Sequence, residues 1–172
     1  MQINDIDLHS YPGSEKVYFE GKQFPFIKVP MRKVSLTPTV KVAPDGTKTV
    51  RENEPVYIYD TSGVYTDPQV EIDVNAGIPR FREEWIAHRD DLEQLPGITS
   101  DYGRQREADK SLDGIRFAHR YAPRRAREGR AITQMALARQ GIVTPEMEYV
   151  AIRENLNNEA LGIESYITPE MV

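Results

Sequence analysis

Residues 132–156, ITQMALARQGIVTPEMEYVAIRENL, restrict the fold more than any other stretch of the chain. They spell two helices joined by a tight corner. Ile132, Met135 and Ala136 recur at helical spacing, and Arg139 closes the last turn. Gly141 stands where a left-handed residue ends the first helix, because glycine carries no Cβ to clash there. Thr144 is a good N-cap. Pro145 suits the first helical position, where a missing N–H costs nothing. Glu146 and Glu148 fall in the first turn, where the helix dipole favours negative charge. Tyr149, Ile152 and Leu156 form an apolar row that Met147, Val150 and Ala151 widen, so this second helix is expected to pack on more than one side.

A chain of 172 residues is one domain, or one domain with an appendage. At that size roughly 70% of the unfolded surface can be buried. No apolar run is long enough to span a bilayer. The N-terminal MQINDIDLHSYPG has neither a basic nor an apolar leader region, so the expected compartment is the cytoplasm. There is no cysteine, which excludes disulfides, thiolate metal ligands and cysteine nucleophiles within this chain. The net charge of −5 argues against a dedicated nucleic-acid binder.

Short strands fill the first half. Val17 and Phe19 alternate within Lys16–Glu20, Glu20-Gly21-Lys22 is a turn signal, and Phe26–Val29 is a candidate returning strand. Pro25 and Pro30 restrict that return to an edge or a short piece. Arg32–Leu36 is a further alternating run. Val40–Arg51, folded about Pro44-Asp45-Gly46-Thr47, predicts an exposed hairpin. Val56–Asp60 is the best candidate for a strand covered on both faces. Val70–Val74 alternates as the next strand, and Asn75-Ala76-Gly77 follows as a turn. Phe81–His88 predicts a short helix with the single tryptophan, Trp85. Asp90–Asp113 is polar and broken by Pro96-Gly97 and Gly103, with an exposed helix near Gln105–Lys110. The fold class is therefore α+β: short antiparallel strands first, then helices packed as a helix–corner–helix.

Three constellations are candidates for chemistry. His9, His88 and His119 lie far apart, without the spacing of a metal motif. Asp60-Thr61-Ser62-Gly63 follows a strand, where catalytic residues often sit. It has no neighbouring base and reads better as a capped strand-to-loop turn, so a hydrolase built on Asp60 and Ser62 has little support. From Arg116 to Arg130 there are six arginines against one acid, Glu128. That run could grip phosphates, with Phe117 and Tyr121 as stacking groups. It could equally pair with the acidic C-terminal helices or with a partner subunit. From Thr144 onward there are six glutamates against one arginine, Arg153.

One echo bears on organisation. Val143-Thr144-Pro145-Glu146-Met147 recurs as Ile167-Thr168-Pro169-Glu170-Met171. Each is a helix-initiation signal, and the second is followed only by Val172. This leads to the expectation that the chain is the front portion of a longer protein.

EKVYFEG (15–21), VPMRKVSLTPT (29–39), VYIYDTSGVYTDP (56–68), IPRFREEWI (78–86), TQMALARQGIVTPEMEYVAIREN (133–155) and ITPE (167–170) together carry a resemblance. In order and over nearly the whole chain, they resemble the front of phosphomethylpyrimidine synthase. The resemblance implies a lyase of thiamine biosynthesis that rearranges aminoimidazole ribonucleotide into hydroxymethylpyrimidine phosphate by radical chemistry. It implies S-adenosylmethionine, a four-iron four-sulfur cluster on three cysteines, a divalent metal, and a homodimer of three-part subunits. Residues 1–172 would be the N-terminal accessory domain, with the barrel and cluster-binding regions absent. The implied partners are the barrel domain of the same polypeptide and a second subunit, with no nucleic acid and no membrane. The chain departs from the family at Ala136 and Leu137, where relatives commonly have His-Tyr, and at Val64, where a proline is usual. No catalytic, cofactor-binding or metal-ligating residue carries over, because those residues of the family belong to the absent parts. The domain is expected to be inactive alone and to support the barrel and the dimer. The alternative is a standalone binding or scaffold protein that uses Arg116–Arg130 for an anionic ligand.

Overall fold

The computed structural model describes residues 12–117 and 121–172. In chain order the strands and α-helices are β1 (Ser14–Glu20), β2 (Lys28–Val34), β3 (Thr39–Val42), β4 (Lys48–Arg51), β5 (Val56–Tyr59), α1 (Glu83–Ala87), β6 (Leu92–Gln94), α2 (Asp101–Ala108), β7 (Arg124–Ala126), α3 (Gln134–Arg139) and α4 (Pro145–Ala160). Strands precede most of the helices, so the α+β class holds. The chain divides into two compact units: residues 1–70 with 145–172, and residues 71–144.

The first unit is built on an antiparallel sheet in the order β1-β2-β5. Val17 lies opposite Met31 and Phe19 opposite Val29, which places these apolar residues on one face. Ile27, Val29 and Met31 are fully buried there. Helix α4 lies against β2 and β5 and buries Met147, Glu148 and Ala151. Tyr59 reaches it directly: its hydroxyl is 2.7 Å from that of Tyr149, and the rings meet edge to face. Burial, then the Tyr59 hydrogen bond, pushes the Tyr149 phenol well above its ordinary value.

Two expectations about this sheet need correction. Phe26–Val29 and Arg32–Leu36 are not separate runs; β2 passes straight through Pro30 and is the central strand. Proline is tolerated because Pro30 carbonyl faces the β5 side, where it accepts the Asp60 N–H at 3.1 Å, just beyond the end of β5 pairing. A residue's N–H and C=O point to the same side of a strand, so the ladder to β1 loses no donor. Second, β5 is an edge strand, and Ile58 is 56% exposed. High β-propensity reports a fit to a pleated surface, not burial on both sides.

The C-terminal ends of α3 and α4 follow one plan. Gly141, at φ +71°, donates to Ala138 carbonyl while Ile142 donates to Leu137 carbonyl. At the end of α4, Gly162 (φ +67°) donates to Glu159 and Ile163 to Asn158. This paired pattern caps the last free carbonyls, and it needs a left-handed residue that glycine adopts without strain. After α4, Asn155 clamps Ile167 through its amide, accepting from the backbone N–H at 2.7 Å and donating to the carbonyl at 2.8 Å. That holds the 3-10 turn Pro169–Met171 near the helix. The β3–β4 hairpin forms as expected, with every strand residue exposed.

The second unit has a small core of Trp85 and Leu137. Its ribbon pairs β6 with β7, so part of the arginine run is a strand. Arg89 forks onto Asp91 at 2.8 and 2.5 Å, and this bond holds the Asp91 carboxyl below the usual range. Three expectations fail here. Val70–Val74 is not a strand: Asp73 turns the chain by accepting the Asn75 and Gly77 N–H groups, and Val74 is 82% exposed. An alternating pattern without a neighbouring edge to pair with has no ladder to join. Gly103 does not break the chain but lies inside α2, whose N-cap is Ser100. In α3 the helix begins after the Thr133 cap, so Ile132 precedes it; Leu137 is the buried residue and Met135 is 64% exposed.

Candidate functional site

The sheet of the first unit has a second face. Lys16 lies directly opposite Arg32 in the β1–β2 register, and Tyr18 is two residues along. Directly opposed like charges repel, so this pairing needs an anion between them. Asp60, where the chain leaves β5, is that anion. Its Oδ2 lies 2.9 Å from the Arg32 guanidinium and 3.4 Å from the Lys16 ammonium. The Lys16 and Asp60 side chains are 1% and 5% exposed, so the pair is shielded from solvent screening.

The turn after Asp60 closes over the cations. Ser62 donates its N–H to Asp60 Oδ1 at 2.9 Å, and its hydroxyl donates to the same oxygen. Thr66 accepts from Arg32 at 2.8 Å, and its hydroxyl meets that of Ser62. Lys16 also donates to the Gly63 carbonyl. Tyr18 donates to Asp67, whose other oxygen takes the Gln69 N–H at 2.9 Å. Burial by itself raises the Asp60 carboxyl; the Ser62 hydroxyl and amide, then Lys16 and Arg32, outweigh it and hold the group below the ordinary aspartate range. Burial, followed by the Asp67 bond, raises Tyr18 and keeps its phenol protonated.

This arrangement clasps the turn to the sheet. A carboxylate held below its ordinary range is a weaker base than a free one. Lys16 is paired to Asp60, and both also engage the Ser62 hydroxyl. The Asp60-Thr61-Ser62-Gly63 stretch is the capped turn that its short polar residues suggest, extended by two distant cations. Sequence reading passed over Lys16, Tyr18, Arg32, Thr66 and Asp67. The available signal was the polar alternate face of the strand whose other face carries Val17 and Phe19.

A second carboxylate has a comparable task. Glu148, 4% exposed on α4, accepts three successive backbone N–H groups: Lys22 at 2.7 Å, Gln23 at 2.8 Å and Phe24 at 2.8 Å. Consecutive amides of this kind form an anion-binding nest. A Cβ on Gly21 would stand 2.4 Å from the Phe24 carbonyl and 2.6 Å from the Glu148 carboxylate, so the turn requires glycine. The first-turn position of Glu148 was legible; its partners more than a hundred residues away were not.

The arginine run belongs to the second unit and is largely engaged there. Arg116 binds Asp113 and the carbonyls of Arg106 and Asp109. Arg124 meets Glu83 at 2.5 Å, Arg125 meets Glu93 at 2.5 Å, and Arg127 donates to Leu92 carbonyl at 3.0 Å. Phe117 and Tyr121 border a cavity of about 420 Å³ with Ile78, Ile115 and Arg116, and Arg80 stacks on the Tyr121 ring at 3.8 Å. Arg120, His119 and His9 lie outside the described residues. His88 is exposed, with Nδ1 2.8 Å from Glu84 carbonyl. Among the described residues no three histidine or carboxylate side chains gather as a metal-binding group, and no helix is long and apolar enough to cross a membrane.

Comparison with protein families yields a match to the ThiC-associated domain over residues 10–93. The match contains β1 to β5 and every residue of the Lys16–Asp60–Arg32 clasp. Glu148 and α4 lie outside it.

Proposed function

We propose that this chain, a member of the ThiC-associated domain family across residues 10–93, acts as a supporting domain of a phosphomethylpyrimidine synthase rather than as a catalyst in its own right. The match over residues 10–93 supports a role in the N-terminal region of a thiamine-biosynthesis protein. In this reading the full enzyme converts aminoimidazole ribonucleotide to hydroxymethylpyrimidine phosphate, and this portion packs against its barrel and a second subunit. The observation that carries the reading is that the matched segment spends its buried charges on one another. Lys16, Arg32, Asp60, Ser62 and Thr66 fasten a turn to a sheet, and the carboxylate that the Ser62 hydroxyl meets is itself neutralised by two cations.

The cofactor chemistry points the same way. An iron–sulfur cluster is held by cysteine thiolates, and this chain has no cysteine. The residues present do not fit such a cluster, so no step is assigned through it. What this chain's residues do is hold shape: Asp60 orders the turn, and Glu148 ties α4 to the β1–β2 connection. The test is anaerobic turnover of aminoimidazole ribonucleotide with S-adenosylmethionine, iron, sulfide and reductant. The purified chain is expected to form no hydroxymethylpyrimidine phosphate. Product formed by this chain alone would overturn the reading. Salt-dependent capture of phosphate ligands that vanishes in an Arg124→Ala, Arg125→Ala, Arg127→Ala variant would favour the anion-binding alternative.

A further inference from the structure

Among its described residues, the second unit leaves more large apolar side chains around one cavity than it buries in its core. Ile78, Ile115, Phe117 and Tyr121 all border the hollow of about 420 Å³, and they are 49%, 74%, 63% and 44% exposed. Apolar residues scattered singly over a surface mean little, but four that converge on one hollow keep apolar surface wet until something covers it. Two turns hold the wall in place. Asp73 accepts the Asn75 N–H at 2.8 Å, and its carbonyl takes the Gly77 N–H at 2.9 Å, which sets the chain into Ile78. Arg116 donates to Asp113 and to the carbonyls of Arg106 and Asp109, so its charge is spent on shaping the turn that ends at Ile115.

Arg80 is used differently. It stacks on the Tyr121 ring at 3.8 Å, and its approach to Glu83 Oε2 is also 3.8 Å, too long for a hydrogen bond. Glu83 is held instead through Oε1 by Arg124 at 2.5 Å. A guanidinium stacked on a ring keeps its N–H donors in its own plane, where they can grip a carboxylate or phosphate side-on. Arg80 is half exposed, and among the described residues no acid lines the cavity. We propose that this cavity binds a small aromatic anion: a flat ring lies against Phe117 and the two isoleucines, and its carboxylate or phosphate sits on Arg80. The volume falls within the range of small-molecule sites. Aromatic and guanidinium faces favour a planar ring, and a lining without acids favours negative charge on it. The site needs nothing from the sheet clasp and stands apart from the supporting-domain reading.

Isothermal titration of the whole 172-residue chain tests it, with naphthoate, naphthyl phosphate, uncharged naphthamide and acetate as probes. At least one naphthyl anion is expected to bind with a Kd of about 1 mM or tighter, and the tighter of the two names the acid. Naphthamide should bind at least about tenfold more weakly, because a charge-assisted pair is lost, and acetate should give no signal. Arg80→Gln should bring the anion down to the level of the amide and leave the amide unchanged. Phe117→Ala should weaken both about tenfold. Both side chains are more than half exposed, so matching melting curves are expected for these variants. Ile78→Trp gives a second route, since it fills the hollow and should abolish binding with no charge changed. Arg125→Ala, on the surface away from the cavity lining, should alter nothing. Silence from both anions, an amide that binds equally well, binding untouched by Arg80→Gln, Phe117→Ala or Ile78→Trp, or binding lost in Arg125→Ala overturns the site. None of these outcomes touches the non-catalytic reading, which turnover alone decides.

Discussion

The two compact units are held together differently. In the first, decisive contacts join residues distant in sequence: Glu148 with the amides of residues 22–24, Tyr149 with Tyr59, and Asp60 with Lys16 and Arg32. Its core of Ile27, Val29, Met31, Met147 and Ala151 also draws on both ends of the chain. In the second, Trp85 and Leu137 are the only buried apolar residues among the described ones, and many polar bonds are local: Arg89 to Asp91, Arg116 to Asp113, Asp109 to Ser111. Local bonds survive partial opening, whereas long-range buried bonds form or break with the whole unit. The first unit should therefore unfold as one, and the second should yield gradually.

The strongest challenge to that contrast is Asp60→Ala. It leaves Lys16 and Arg32 opposed and buried without their anion, and breaking one partner of a buried pair costs about 3–5 kcal/mol. Chemical denaturation of the first unit should lose that much cooperatively. The acid limb carries the same information. Asp60 has its folded value depressed, so its contribution is complete above the unfolded value and disappears as pH falls through the folded one. Stability measured downward from the ordinary aspartate range should fall, and the Asp60→Asn chain should show a flatter limb. An unchanged limb would break the account of the clasp.

Glu148→Ala comes next. It strips three backbone donors of their acceptor, at about 1–3 kcal/mol for each one left dry. Because water can reach the opened turn, a total near about 3 kcal/mol is expected. Hydrogen exchange should report lost protection at Lys22, Gln23 and Phe24 together with α4.

Leu137→Ala should be smaller, about 2 kcal/mol, since the side chain is not fully enclosed. Its exchange signature should stay within residues 71–144; spread into β1 or β2 would sink the contrast between the units. Arg125→Ala should be smallest. Its 65% exposed side chain pairs with Glu93 at the surface, where such bridges are worth less than about 1 kcal/mol. A midpoint shift near the error of thermal melting is expected.

Much of this fold was readable from local chemistry. Gly141, Pro145 and the Pro44-Asp45-Gly46-Thr47 turn each act over a few residues, and each lies where its local preference requires. Gly162-Ile163 repeats the signal of Gly141-Ile142 and could have been read the same way. The failures have one character. Val56–Tyr59 and Val70–Val74 both carry strand signals, but one found an edge to pair with and the other did not. Pro30 looked like a boundary and proved harmless, because its missing donor faces the side where β5 has ended.

The candidate site was less legible than the fold. Asp60 and Ser62 stood out as a motif, while Lys16 and Arg32 looked like ordinary charges on alternating strands. Register alone sets those two cations face to face and makes Asp60 necessary.

The amino-acid order by itself determined where the chain turns, caps and alternates, and that no thiolate can hold a metal here. Backbone preference and steric fit operate within a turn or two, so they can be read residue by residue. Only the tertiary structure decided which charges are buried together and which strand lies at an edge. Burial and ion pairing depend on distance in space, and Glu148 meets Gln23 only after the whole intervening chain has folded.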